Sequence, residues 1–270
     1  MPKIRAGITI HYEQQGTGEP LILIPYLAAE HACYAFQVAE FAKHFTCISL
    51  DLRGTGESDT TTGAYTTETL ADDVAAFMDA LGIGRAHLFG LSLGAAVSLW
   101  MAAKYPAKVS SLSLHGAWTK SDPFIRGVLE SWRIIARGLG NVQETVIRGL
   151  FPWCFTPELY AARPEYIQAL SDFVRSRPAQ SLDSFLLQSD AAMNHDVQAQ
   201  LAHIDVPTQV TFGEYDIVTG GFIDRLKGGI ADCETHVFKG CSHAALYERV
   251  DEFNGKVLEF LQRRARAQAA

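Results

Sequence analysis

The sequence predicts an α/β fold: a mostly parallel central sheet, helices on both of its faces, and a helical insertion. Short apolar runs alternate with amphipathic helical stretches through the N-terminal half of the 270 residues; the alternation lapses from about residue 119 to 202 and resumes at Pro207. The core is therefore expected over residues 1–118 and 203–270, and a helical cap over 119–202.

The strands follow in order. Ile8–Tyr12 alternates apolar and polar residues, as a half-buried strand does. Leu21-Ile22-Leu23-Ile24, after Pro20, is continuously apolar and fits a strand buried on both faces. Cys47–Leu50, Ala86–Phe89, Val109–Leu114, Gln209–Phe212 and Thr235–Phe238 continue the pattern. Between them, Glu68–Leu81 carries Leu70, Val74, Phe77, Met78 and Leu81 on one helical face, with Gly82 placed to cap its end. Ala95–Tyr105 is apolar almost all round and stops at Pro106, which predicts a deeply buried helix. Ala245–Arg264 reads as one terminal helix, with Leu246, Val250, Phe253, Val257, Leu258 and Leu261 on its stripe. The insertion is punctuated by Pro123, Pro152, Pro157, Pro164 and Pro178.

Composition excludes several function classes. With 23 Lys+Arg against 30 Asp+Glu the net charge is −7, and no basic run is available to neutralise phosphates, so neither nucleic acid nor an anionic membrane is an expected partner. No apolar run approaches the roughly 20 residues a membrane span needs, and MPKIRAGITIHYEQQG lacks a secretory h-region. Cys33, Cys47, Cys154, Cys233 and Cys241 are scattered and odd in number, which predicts buried thiols in a reducing cytoplasm. A phosphate-binding G-x-x-x-x-G-K-[ST] loop, a dinucleotide G-x-G-x-x-G turn and metal-ligand spacings are all missing, so no cofactor or metal is expected.

The chemistry is expected at Gly90-Leu91-Ser92-Leu93-Gly94, between the run Ala86–Phe89 and the helix from Ala95. A serine on a sharp strand-to-helix turn is pushed into strained torsions that expose its hydroxyl, and the flanking glycines let strand and helix approach. Ser58 and Ser242 lack the second glycine and the following apolar helix. The serine needs a base. His11, His44 and His87 fall in or beside strands and surface helices and read as structural, while His115 ends a strand at the active edge, near the pocket. His243 follows the last strand in Lys239-Gly240-Cys241-Ser242-His243, at the same sheet edge as Ser92, and is the expected base. Asp216, just after the next-to-last strand, is the expected partner of its imidazole, with Glu214 second. The N–H of Leu93 and a second N–H after Leu21–Pro25, from Leu27 with Tyr26 as fallback, are the expected oxyanion donors.

On these residues the chain resembles the α/β-hydrolase superfamily. The order Ser92, Asp216, His243 matches that of its triad, and Asp51-Leu52-Arg53-Gly54-Thr55-Gly56-Glu57-Ser58 looks like its D-x-R-G-x-G-x-S loop. Tyr65–Leu81, Gly90–Gly94 and the stretch Leu150-Phe151-Pro152 through Arg163-Pro164 are most similar to 3-oxoadipate enol-lactonases and aminoacrylate (carbamate) hydrolases. Pro25-Tyr26 replaces the usual His-Gly, which brings the Tyr26 ring toward the pocket, and Ala95 replaces a second glycine after Gly94. A serine where haloalkane dehalogenases and epoxide hydrolases use aspartate argues against those reactions.

The resemblance implies hydrolysis of a carboxylic ester or lactone through an acyl-enzyme. Carbon–carbon bond hydrolysis or another non-acylating reaction is the alternative within the fold, and a ligand receptor with vestigial turnover is the alternative outside enzymes. Tyr26, Trp118, Trp132 and Trp153, with Phe151 and Phe155, are expected to line a small-molecule pocket; Arg126, Arg133 and Arg148 are candidates to pair with a substrate carboxylate, with solvated helix faces the favoured reading for them. The sequence leaves the oligomeric state open.

Overall fold

The computed structural model describes the backbone of residues 2–269 and the side chains of residues 2–266. Eight strands form one sheet: β1 (Lys3–Ala6), β2 (Ile8–Gln15), β3 (Pro20–Ile24), β4 (Thr46–Leu50), β5 (Ala86–Leu91), β6 (Val109–His115), β7 (Thr208–Gly213) and β8 (Cys233–Phe238), in the order β1-β2-β4-β3-β5-β6-β7-β8. From β4 to β8 neighbours run parallel, and the β1–β2 hairpin joins antiparallel through β2. The predicted strands all form, extended by one to three residues at an end. The addition is β1, whose Lys-Ile-Arg-Ala alternates polar and apolar over only four residues and is ordered by pairing with β2 across Gly7.

Continuous apolar runs become central strands because helices cover both faces. α1 (Ala35–Phe41) packs on α12 (Val250–Ala269), which lies against β6, while α2 (Thr67–Ala80) packs on α3 (Leu93–Lys104), which lies against β3, β5 and β6. α2 starts with a Thr66–Thr69 capping box and ends as Gly82 predicts, with Gly82 N–H on Asp79 O and Ile83 N–H on Met78 O. The expected single terminal helix is two: α11 (Ala245–Glu248) and α12 are divided at Arg249, whose φ of −137° and ψ of 58° leave the helical region. The apolar stripe runs through the break, so periodicity alone does not reveal it.

Between β6 and β7 the chain is helical: α4 (Pro123–Leu139), α5 (Val142–Thr145) continuing through a π-helical turn into α6 (Phe151–Cys154), α7 (Pro157–Ala162), α8 (Pro164–Ser176) and α9 (Leu182–Met193). A lone bridge between Lys120 and Asp196 ties the two ends of this segment. α10 (Ile223–Gly229) then joins β7 to β8. Among the described residues no helix is long and apolar enough to cross a membrane.

Candidate active site

The site lies at the carboxyl ends of β3, β5, β6, β7 and β8. β5 ends in a sharp turn at Ser92, which adopts φ 52° and ψ −116°. Such torsions in a residue with a side chain cost about 1–3 kcal/mol and persist only where the surroundings enforce them. The enforcement is visible. Ser92 N–H donates to His115 O at 2.9 Å, and Leu91 N–H donates to Tyr34 Oη, which in turn donates to Ile24 O. A Cβ on Gly94 would fall onto the Ile24 carbonyl oxygen, so only glycine lets α3 start this close to the end of β3.

That approach brings two backbone donors together. Leu27 and Leu93 both border the space around Ser92, and neither N–H has a partner among the described residues. Tyr26, the fallback donor, places its ring on the same space and its hydroxyl 2.8 Å from that of Tyr247, which donates to Cys33 O.

His243 follows β8 and lines one chamber with Ser92. Its Nδ1 lies 2.9 Å from Asp216 Oδ2. Asp216 also accepts Val218 N–H, Thr219 N–H and the Thr219 hydroxyl at 2.8–2.9 Å. Burial raises the pKa of this carboxyl, but the charge and hydrogen bond of His243 and the Thr219 donors outweigh it and bring the value down to about 2. Asp216 is therefore an anion aimed at one imidazole nitrogen. Glu214 turns away, toward Lys239 and Gly240 N–H. Gly116, at φ +58°, leaves the room the ring occupies, because a Cβ there would stand 2.7 Å from His243 Cε1.

His115 does not border the pocket. Fully buried beneath it, the ring meets the Thr211 hydroxyl through Nδ1 and donates from Nε2 to His243 O at 3.1 Å. Burial, reinforced by His243, lowers its pKa to about 3, so it is a neutral prop for the His243 backbone. The rival serines are occupied: Ser58 Oγ donates to Asp51 O, and Ser242 Oγ reaches Trp153 O and Tyr215 O. Ser92 Oγ has no such bond, nor one to His243, among the described residues.

Two apolar chambers meet at Ser92. One is walled by Tyr26, Leu27, Trp132, Val146, Phe151 and Phe155. The other is walled by Trp118, Ile125, Val128, Leu129, Trp132 and Val218. Trp132 borders both, and its buried indole N–H has no partner among the described residues. Trp118 spends its N–H on the Ser121 hydroxyl.

One expected contact, that of Trp153, is not found, and the three candidate arginines lie on other faces. In α6 the chamber is lined by Phe151 and Cys154, three apart on one face, which leaves Trp153 off that face, where its carbonyl meets Ser242. In α4 the lining stripe is Ile125, Val128, Leu129 and Trp132, so Arg126 and Arg133 sit about 100° round the helix. Arg126 bonds Ser121 O, Arg133 pairs with Asp190 and Glu130, and exposed Arg148 pairs with Glu144. None of these three arginines lines either chamber.

The described residues hold one group with metal-ligand character, the buried His11, His31 and Asp51. Protons already satisfy it: Asp51 accepts from both Nδ1 atoms and from the N–H groups of His31 and Glu57 at 2.7–2.9 Å.

Sequence reasoning passed over Thr219, Gly116 and Tyr247. Thr219 lies three residues beyond Asp216 and had a findable signal, since a hydroxyl at that spacing commonly bonds a loop carboxylate.

Residues 19–250 match the family described as alpha/beta hydrolase fold, and the chain belongs to it. It is 29% identical over 265 residues to 2-hydroxy-6-oxo-6-phenylhexa-2,4-dienoate hydrolase from Comamonas testosteroni, covering 94% of this chain and 92% of that one. It is 27% identical to 3-oxoadipate enol-lactonase 2 from Acinetobacter baylyi, covering 95% and 94%. Among solved structures it resembles the enol-lactonase from Burkholderia xenovorans LB400, with a TM-score of 0.86 and 26% identity over 97% of this chain and 100% of that one. It is thus a member of a hydrolase family, similar both to a 2-hydroxy-6-oxo-6-phenylhexa-2,4-dienoate hydrolase and to enol-lactonases.

Proposed function

We propose that the protein hydrolyses a neutral carboxylic ester, or a lactone of similar polarity, through an acyl-enzyme on Ser92. The observation that carries this reading is the strained Ser92 between two unpartnered backbone N–H groups, in a chamber shared with an imidazole already fixed to a buried carboxylate.

His243 takes the proton of Ser92 as Oγ attacks the carbonyl carbon. A change of staggered rotamer moves Oγ by about 2 Å, and catalytic hydrogen bonds commonly tighten only once substrate is bound. Asp216 holds the Nδ1–H tautomer and stabilises the imidazolium. The N–H groups of Leu27 and Leu93 receive the developing oxyanion, the Leu93 donor aided by the positive end of α3. His243 then returns its proton to the leaving oxygen, and water activated by the same ring releases the acid.

The chambers support the neutral substrate. Their walls are aliphatic and aromatic, with Trp132 N–H as a spare donor for a polar acceptor. Arg177, in an adjoining recess, is already paired with Glu30. An enol-lactone that carries a carboxylate would have to bury that charge there without a free cation among the described residues, which is costly.

A pre-steady-state experiment with a neutral p-nitrophenyl ester tests this. A burst of p-nitrophenolate stoichiometric with enzyme, absent in Ser92→Ala, is expected. Turnover with no burst, or faster cleavage of vinylogous diketones than of any ester, would favour the carbon–carbon reading.

A further inference from the structure

The loop carrying the Leu27 donor is a four-residue turn, closed by Ala29 N–H on Tyr26 O at 3.2 Å. At its third position Ala28 adopts φ +61°, where turns usually place glycine or asparagine. Ala28 and Ser92 are the two non-glycine residues with positive φ among those described, and Leu27, next to Ala28, lines both chambers with Ser92. Something must hold an alanine in that form. Its N–H donates at 3.0 Å to Oε1 of Gln188, a fully buried residue on α9 of the helical segment between β6 and β7.

The orientation of that amide is fixed by its surroundings. Gln180 Nε2 also approaches Gln188 Oε1, at 3.4 Å, and a flipped amide would set NH₂ against two donors. Gln188 Nε2 is left buried without a partner among the described residues. An apolar side chain would avoid that unpaired group, so the acceptor oxygen is what this residue contributes.

From this geometry we infer that Gln188 is a positioning residue that latches the cap onto the oxyanion loop and holds Leu27 N–H aimed at the reacting oxygen. The inference rests on the serine mechanism proposed above. Without the latch the turn closed by Ala29 N–H on Tyr26 O relaxes toward negative φ at Ala28, the Tyr26–Leu27 peptide shifts with it, and the donor loses its aim. The cap would then set the rate as well as the shape of the pocket.

The test uses the full-length protein and Gln188→Leu, checked for folding by circular dichroism. The expected result is a kcat loss of about 10- to 100-fold on a neutral p-nitrophenyl ester, with KM changed by less than about threefold. Inhibition by phenylboronic acid, whose tetrahedral adduct on serine uses the oxyanion donors, should weaken in parallel. Adding Ala28→Gly, which adopts positive φ unaided, should restore most of the kcat. A merely structural glutamine would give no such rescue. If Gln188→Leu does not fold, Gln188→Met, of matching length and without an acceptor, is measured in the same way. Unchanged kcat and boronate affinity in a folded variant overturn the latch and leave the serine mechanism standing. Loss that Ala28→Gly does not repair, or failure of both variants to fold, reduces Gln188 to a packing residue and also overturns it. A wild-type protein that neither turns over esters nor takes a fluorophosphonate on Ser92 removes both readings.

Discussion

Asp51 with His11 and Asp216 with His243 are buried aspartate–histidine pairs of nearly equal geometry, each carboxylate oxygen 2.9 Å from an Nδ1. What differs is the far side of the imidazole. His11 Nε2 is sealed in the core without a partner, and the neighbouring His31 is pinned among Asp51, Glu30 and Glu13. Asp51 thereby serves as a hub for the loop of residues 51–58, accepting Glu57 N–H while Ser58 Oγ closes on its carbonyl. The ring of His243 instead borders a chamber with Ser92. On the mechanism proposed above, the same pair is scaffold in one place and machinery in the other, according to what its open nitrogen can reach.

The largest expected effect separates the two in activity. Asp216→Asn should lower kcat by about 10⁴-fold, since the amide no longer selects the correct tautomer. Asp51→Asn should leave kcat of the folded fraction within about tenfold. Equal losses in both variants would erase the distinction.

Stability should show the reverse. Asp51→Asn leaves the buried His31 without its main anionic partner, a change worth about 3–5 kcal/mol by denaturant titration. Asp216→Asn keeps its Thr219 contacts and should cost less.

A third measurement sharpens the contrast through pH. Burial lowers the His31 pKa, but hydrogen bonds and charge from Asp51 and Glu30 outweigh it and raise it from 6.5 to about 10. The folded protein thus binds a proton the unfolded chain releases, and His31 contributes stability that is complete below pH 6.5 and lost as pH rises toward 10. His115 and His195, held neutral by burial at about 3 and 4, act with the opposite sign: their contribution is complete above pH 6.5 and lost as pH falls toward those values. The urea midpoint should peak near pH 6.5, and His31→Gln should flatten the alkaline limb alone. An unchanged alkaline limb would detach His31 from the scaffold role.

The smallest effect is local. Gly116→Ala sets a methyl against His243 at a positive φ, and kcat should fall about 10- to 100-fold with a stability loss of about 1 kcal/mol. Full activity would mean that the ring is not where the chemistry needs it.

Much of this was legible in the chain. Parallel strands announce themselves as continuous apolar runs, and a Gly-x-Ser-x-Gly between such a run and an apolar helix fixes where an elbow must fall. Asp216 and His243 could be singled out because each follows a strand at the same sheet edge. Less visible was anything decided by angle around a helix. Trp153, Arg126 and Arg133 have the right chemistry for a pocket, yet each lies off the lining face of α6 or α4. Gln188 carried a readable signal, a polar amide on the helical face that buries Phe185, Ala191 and Ala192. The torsion it answers, at Ala28, did not, because alanine gives no hint of positive φ. The break at Arg249 is likewise a matter of backbone torsion within an unbroken apolar stripe.

The central claim is that one hydroxyl in the chain is a nucleophile. Reaction with a fluorophosphonate, followed by proteolysis and mass spectrometry, addresses it directly. A single adduct per chain, on the peptide containing Ser92 and lost on heat denaturation, is the predicted result. An adduct on Ser58 or Ser242, or undiminished turnover after Ser92 is fully modified, would contradict it.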